Sequence, residues 1–181
     1  MFGCVGVATP GDAGSISEIY GPVVRDTAIS FEVCPPTAEE MHARIERTLH
    51  GFPWLVFEEG GVLGYAYAAP FRSREAYRWA AELSVYVRGD VRRQGIGEAL
   101  CEFLLDVLQR QGYARAFAGI TLPNPASVGL FESLGFEPAG VFERVGYKLG
   151  RWHDVGWWQR SIAGASPAPD PPVPFSELRA A

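Results

Sequence analysis

A chain of 181 residues, 48% hydrophobic and 20% charged, has the composition of one globular domain large enough to bury a core. Its net charge of −5 argues against a nucleic-acid partner, and no stretch approaches the ~20 apolar residues of a membrane span. Cys4, Cys34 and Cys101 form neither a disulfide framework nor a metal-ligand spacing, and His42, His50 and His153 supply none, so the expectation is no metal and a reducing, cytoplasmic compartment.

In chain order, the first eleven residues lack the basic start of a secretion signal, and Val5–Thr9 reads as a strand. Asp12 is placed to cap a short helix through Tyr20. Thr37-Ala38-Glu39-Glu40 is a capping box opening a helix that Gly51 closes. Trp54–Glu58 and Val62–Ala68 read as strands joined by the hairpin signal Glu59-Gly60-Gly61. An apolar strand, Glu82 to Val87, leads through the turn Arg88-Gly89-Asp90 into a basic loop and a helix over Gly95–Gln111. A strand near Ala114–Ile120 follows, then a helix opened by Asn124-Pro125 and stopped after Leu134 by Gly135. Glu137–Phe142 and Trp152–Arg160 read as strands. From Ala163 the chain is rich in proline (Pro167, Pro169, Pro171, Pro172, Pro174), which predicts a domain over 1–162 and an irregular tail over 163–181 lying on the surface or on a partner. The whole reads as α/β with a mixed sheet.

The most informative segment is Arg92-Arg93-Gln94-Gly95-Ile96-Gly97. A strand feeding such a loop delivers it to a helix N-terminus, whose free N–H groups and positive dipole end attract an anion. Gly95 and Gly97 let the backbone approach closely, and Arg92 and Arg93 add charge where a diphosphate would sit. The segment is neither a P-loop, which needs Gly-Lys-Ser/Thr, nor a G-x-G-x-x-G dinucleotide loop. A strand-to-helix corner with surface arginines is the plain alternative.

This Arg-x-x-Gly-x-Gly loop resembles the pyrophosphate loop of the GNAT superfamily of N-acetyltransferases. Further segments, Ala76-Tyr77-Arg78-Trp79-Ala80-Ala81-Glu82-Leu83-Ser84-Val85-Tyr86-Val87, Leu122-Pro123-Asn124-Pro125-Ala126-Ser127 and Gly150-Arg151-Trp152-His153-Asp154-Val155-Gly156-Trp157-Trp158-Gln159, resemble the phosphinothricin and methionine sulfoximine N-acetyltransferases from about Val7 to Ile162. The resemblance implies a mixed, mostly antiparallel sheet flanked by helices, acetyl-CoA as cosubstrate, a small amino acid or analogue as acceptor, and a homodimer. It implies Glu82 as general base, where its bland reading is a strand-end surface glutamate. Val85, Tyr86 and Val87 would meet the pantetheine arm, and Arg92, Arg93, Gln94, Gly95, Ile96 and Gly97 the pyrophosphate. Asn124 and Ser127 would touch coenzyme A, although Asn before Pro is also an ordinary helix cap. Arg72, Arg74 and Tyr77 match positions that hold a substrate's acidic groups, and Phe31 matches a pocket-lining phenylalanine. One departure stands out: Phe131 replaces a common family histidine. An acetyltransferase for another amine, or a non-catalytic acetyl-CoA-binding module, are the competing readings.

Overall fold

The structure, a computed structural model, describes residues 3–164 and 166–180. Seven strands, β1 (Cys4–Val7), β2 (Trp54–Glu58), β3 (Val62–Pro70), β4 (Ala80–Val87), β5 (Arg115–Leu122), β6 (Glu137–Lys148) and β7 (Arg151–Ser161), form one sheet in the order β1-β2-β3-β4-β5-β7-β6. All neighbours are antiparallel except β4 and β5. The α/β class and the mixed, mostly antiparallel sheet are therefore as expected.

Helices cover both faces. On one, α1 (Ala13–Asp26) and α2 (Ala38–Gly51) bury Ile16, Val24, Met41 and Ile45 against Trp54, Val56 and Tyr65. On the other, α3 (Ile96–Gln111) buries Leu100, Leu104 and Leu108 against Leu55, Ala66, Ala68 and Leu83. Those leucines recur at the helical period, and each contributes about 1.5–3 kcal/mol of burial. The α2 capping box forms as its sequence demands: Thr37 Oγ1 accepts from Glu40 N at 3.1 Å and Thr37 N donates to Glu40 Oε2 at 2.8 Å.

Several boundaries differ from expectation. Helix α1 runs on to Asp26, through Gly21 and Pro22, because Val23 and Val24 continue its buried face. Burial there outweighs the hydrogen bond that a proline removes. Asp12 stands at the N-cap position, but its carboxylate bonds back to Thr9 N and Oγ1. Strand β6 extends to Lys148, since a register shift between Phe142 and Gly146 breaks the alternation that would have shown it. Leu149 and Gly150, both at positive φ, make its tight turn into β7.

The tail is also more ordered than its prolines imply. Phe175–Ala180 forms a short helix, α5, and Phe175 is buried. Trp79 Nε1 donates to Asp170 O, Gln111 Nε2 to Val173 O, and Ser176 Oγ to His50 O. These bonds tie the tail to the ends of α2 and α3 and to the residue preceding β4.

Candidate active site

Strands β4 and β5 pair for only three positions, Ala80↔Arg115, Ala81↔Ala116 and Glu82↔Phe117. Beyond them β5 keeps only its pairing with β7, which runs from Arg115↔Ser161 to Leu122↔Asp154, while β4 stays on β3 as far as Gly64↔Val87. The sheet therefore opens into a wedge whose closed end is Glu82. Arg88 N donates to Leu63 O and Phe71 N to Ala80 O, and the register between these bonds is unbroken. The antiparallel alternation then assigns Glu82, Ser84 and Tyr86 to bonds with β3 and turns the N–H and C=O of Leu83, Val85 and Val87 toward β5. Past Glu82 no strand pairs with them. A row of backbone donors and acceptors lines the gap, ready for an extended amide-bearing chain.

The wide end of the wedge meets a groove of about 720 Å³, lined by Val85, Tyr86 and Val87 on one side and Asn124, Ser127 and Leu130 on the other, with Arg92, Arg93, Gly95, Ile96 and Gly97 at its mouth. Gly95 is the α3 N-cap at φ +80°, and Arg93 also has positive φ. Such a backbone concentrates N–H groups in a concave turn, the geometry of an anion nest. A side chain at Gly97 would press on Leu130 Cδ2 at 3.3 Å, so this glycine permits the approach of α3 to α4 (Pro125–Ser133). Gly95 needs its conformation; Gly97 needs its lack of bulk. Asn124 caps α4, its Oδ1 accepting from Ser127 N at 3.2 Å, and lines the groove as well. Two helix N-termini thus flank the groove, both favouring an anion. Gln94 is exposed in the same loop.

The Tyr86 ring lies on the sheet's other face, stacked on Tyr65 at 5.2 Å and edge-on to Tyr20 at 5.0 Å. Glu82 shares that face. Burial pushes its carboxyl above the ordinary carboxylate range, and the Arg72 guanidinium pulls it partly back. Beside it, Phe71 stacks on Phe117 at 4.0 Å, and Tyr77 meets Phe71 edge-on at 6.0 Å. Arg72 lies over Phe71, 4.2 Å from its centroid, and within 5.2 Å of the Trp157 ring. Arg72 and Tyr77 are thus gathered near Glu82. Arg74 is exposed, its backbone starting the short helical turn Glu75–Tyr77.

Phe31 stands on the same face, 6.3 Å from the His153 ring and against Gly146. The loop that carries it is tied down on both sides. Lys148 Nζ donates to Ser30 O at 2.6 Å, and Glu32 accepts from Tyr20 Oη at 2.9 Å and from both Arg44 nitrogens at 2.7 and 2.9 Å. Phe131 is buried, edge-on to Phe136 at 5.0 Å, while its neighbour Leu130 lines the groove. Phe131, the position where the family commonly has a histidine, is not in the groove lining, whose wall on this side is Leu130. Phe71, Leu130 and Trp157 carry no mark of the site in the sequence, because an aromatic or aliphatic residue on a strand or helix looks like core until the fold shows what it faces. Among the described residues no group of three or more His, Cys, Asp or Glu could hold a metal, and no helix is long and apolar enough to cross a membrane.

A half-paired parallel strand couple, a basic nest on a helix N-terminus and a half-buried carboxylate at the apex define an acyl-CoA-type transfer site. Residues 6–157 match the acetyltransferase (GNAT) domain, and the chain belongs to that family of N-acetyltransferases. The phosphinothricin N-acetyltransferase of Streptomyces viridochromogenes is 41% identical over 167 residues, 92% of this chain and 90% of that one. The L-methionine sulfoximine/L-methionine sulfone acetyltransferase of Pseudomonas aeruginosa is 36% identical over 161 residues, 87% of this chain and 94% of the relative. A phosphinothricin acetyltransferase from Sinorhizobium meliloti, solved in complex with acetyl-CoA, superposes with a TM-score of 0.89 at 36% identity, covering 94% of each chain. Acetyl-CoA is the cosubstrate of this family fold.

Proposed function

We propose that this chain transfers the acetyl group of acetyl-CoA to the amino group of a small amino acid or analogue, such as phosphinothricin or methionine sulfoximine. One observation carries the reading: a half-buried carboxylate, Glu82, closes a wedge that opens onto a groove ending in the 92–97 nest. In this reading the nest and Arg92 and Arg93 hold the pyrophosphate, and Gln94 lies at its edge. Asn124 and Ser127 bound the cofactor on the α4 side. The backbone of Val85 and Val87 lines the pantetheine arm beside Tyr86, and the Val87 N–H polarises the thioester carbonyl. Glu82 removes the ammonium proton, directly or through a water, leaving a nucleophilic amine. Its burial raises its basicity toward that task. Arg72, Arg74 and Tyr77 hold the acidic end of the acceptor, and Phe31 bounds its apolar part. The two arginines would repel a polyamine.

The names borne by the relatives support this substrate class. Val141, Phe142, Val145, Tyr147, Leu149 and Trp152 leave a large apolar surface on the β6–β7 edge, which supports a homodimer through that face. Exposed free thiols at Cys4 and Cys34 are compatible with a cytoplasmic home. The test is thiol release on mixing acetyl-CoA with an amino-acid panel. Saturable release with phosphinothricin or methionine sulfone is expected. Acetyl-CoA binding by calorimetry without release for any amine would leave a non-catalytic binding module. Light scattering should give the mass of two chains.

A further inference from the structure

We propose that Trp157, with Phe71, is a positioning residue that holds the Arg72 guanidinium beside Glu82, so that one cation serves both the acceptor's acidic group and the base. The inference rests on the roles proposed for Arg72 and Glu82. Its geometry starts with the sheet register. Trp157 stands opposite Gly119 on β5, two positions along from Phe117, and Phe117 stands beside Glu82. Partners in register and residues two apart share a face, so Glu82, Phe117 and Trp157 point the same way. Gly119 lets the indole lie over the sheet, because a Cβ there would sit 3.2 Å from the ring.

Phe71 completes the frame, stacked on Phe117 and edge-on to Trp157 at 5.6 Å. The two rings present faces to one guanidinium, at 4.2 Å and 5.2 Å from their centroids. Both lie within the range of cation–π attraction. An arginine in an exposed loop is otherwise free to swing through many rotamers. Arg72's only described side-chain hydrogen bond is to its neighbour's carbonyl, Phe71 O at 2.8 Å. The rings therefore do what an ion pair would do elsewhere, and they leave the guanidinium without a carboxylate partner. The charged or titratable side chains that act on Glu82 are Arg72 and, across β3, the Tyr67 phenol. Trp157 itself carries no charge, so any effect it has on the base travels through Arg72.

The test is a double-mutant cycle of Trp157→Leu and Arg72→Ala in the full chain. Turnover of an acidic amino acid is followed across pH, and the acetyl-CoA KM is measured alongside. Trp157→Leu alone should lower kcat/KM for the acidic acceptor roughly tenfold and leave the acetyl-CoA KM within about twofold. It should also move the acid limb of the kcat/KM profile to higher pH, because a loosened Arg72 no longer draws Glu82 down. In the Arg72→Ala background the same substitution should change neither quantity. Trp157→Phe, which keeps a ring, should retain most of the activity. Equal losses with and without Arg72, or a parallel rise in acetyl-CoA KM, would overturn the inference. If Trp157→Leu fails to fold, Phe71→Leu takes its place in the cycle: the same loss and the same shift of the acid limb are expected, and the same two results would overturn the inference. A limb that persists in Glu82→Gln would instead refute the base assignment, and the coupling read from KM would still decide the role of Trp157.

Discussion

At the residue scale, Glu82 combines a cost and a use. A carboxylate whose ionisation is opposed by burial binds its proton more tightly folded than unfolded. Its stabilising contribution is then full below the unfolded carboxylate range and is lost as pH rises through the folded value. Glu82→Gln should therefore raise the melting temperature above pH 7 and leave it unchanged near pH 4. The same variant should lose about 10²–10⁴ in kcat with acetyl-CoA affinity preserved. A variant that keeps half of wild-type turnover, with chemistry rate-limiting, would remove Glu82 from the mechanism. Gly95→Asp should abolish acetyl-CoA binding in calorimetry, since it places a carboxylate and a Cβ at φ +80° inside an anion nest. Phe131→His has a different outcome. The ring is buried among apolar neighbours, so an imidazole there should cost about 2 kcal/mol or more in urea unfolding and bring no gain in turnover.

At the scale of elements, the segment between α1 and α2 bears on the proposed acceptor side of the site. It carries Phe31 and is held by Glu32 on Arg44 and Tyr20, and by Lys148 on Ser30. Arg44 keeps the Glu32 carboxyl below the ordinary range. The pair is partly exposed, so its contribution is about 1 kcal/mol or less, present above the unfolded carboxylate range and lost as pH falls. Its larger effect is on loop order. Arg44→Ala should raise the amino-acid KM several-fold and leave the acetyl-CoA KM unchanged, with only a small drop in melting temperature. Equal effects on both KM values would place the change in the whole fold rather than in this loop.

At the scale of the molecule, the tail spans the ends of α2 and α3 and reaches Trp79, three residues before Glu82. Phe175 is its anchor, and Phe175→Ala should cost about 3 kcal/mol, measured by urea unfolding, the ordinary loss for emptying a buried phenylalanine site. A stability change within about 0.5 kcal/mol would show that the tail rests on the domain without strengthening it. Much of the architecture could be read in advance. Periodicity located the seven strands, the capping box placed α2, and the basic glycine loop marked the start of α3, because each is a local signal set by neighbours along the chain. The family motifs pointed to Glu82, Arg72 and Tyr77 as candidates, and their roles remain proposals. Local signals could not carry α1 across Pro22 or see a helix anchored by the buried Phe175 in a proline-rich tail, since burial against distant residues decides both. Nor could they tell Leu130 from Phe131, or give Trp157 a neighbour in Arg72. Which side of a helix faces a groove, and which ring lies under a guanidinium, depend on how β4 parts from β5 and on the register of β5 with β7. Those are long-range pairings, and only the folded sheet makes them.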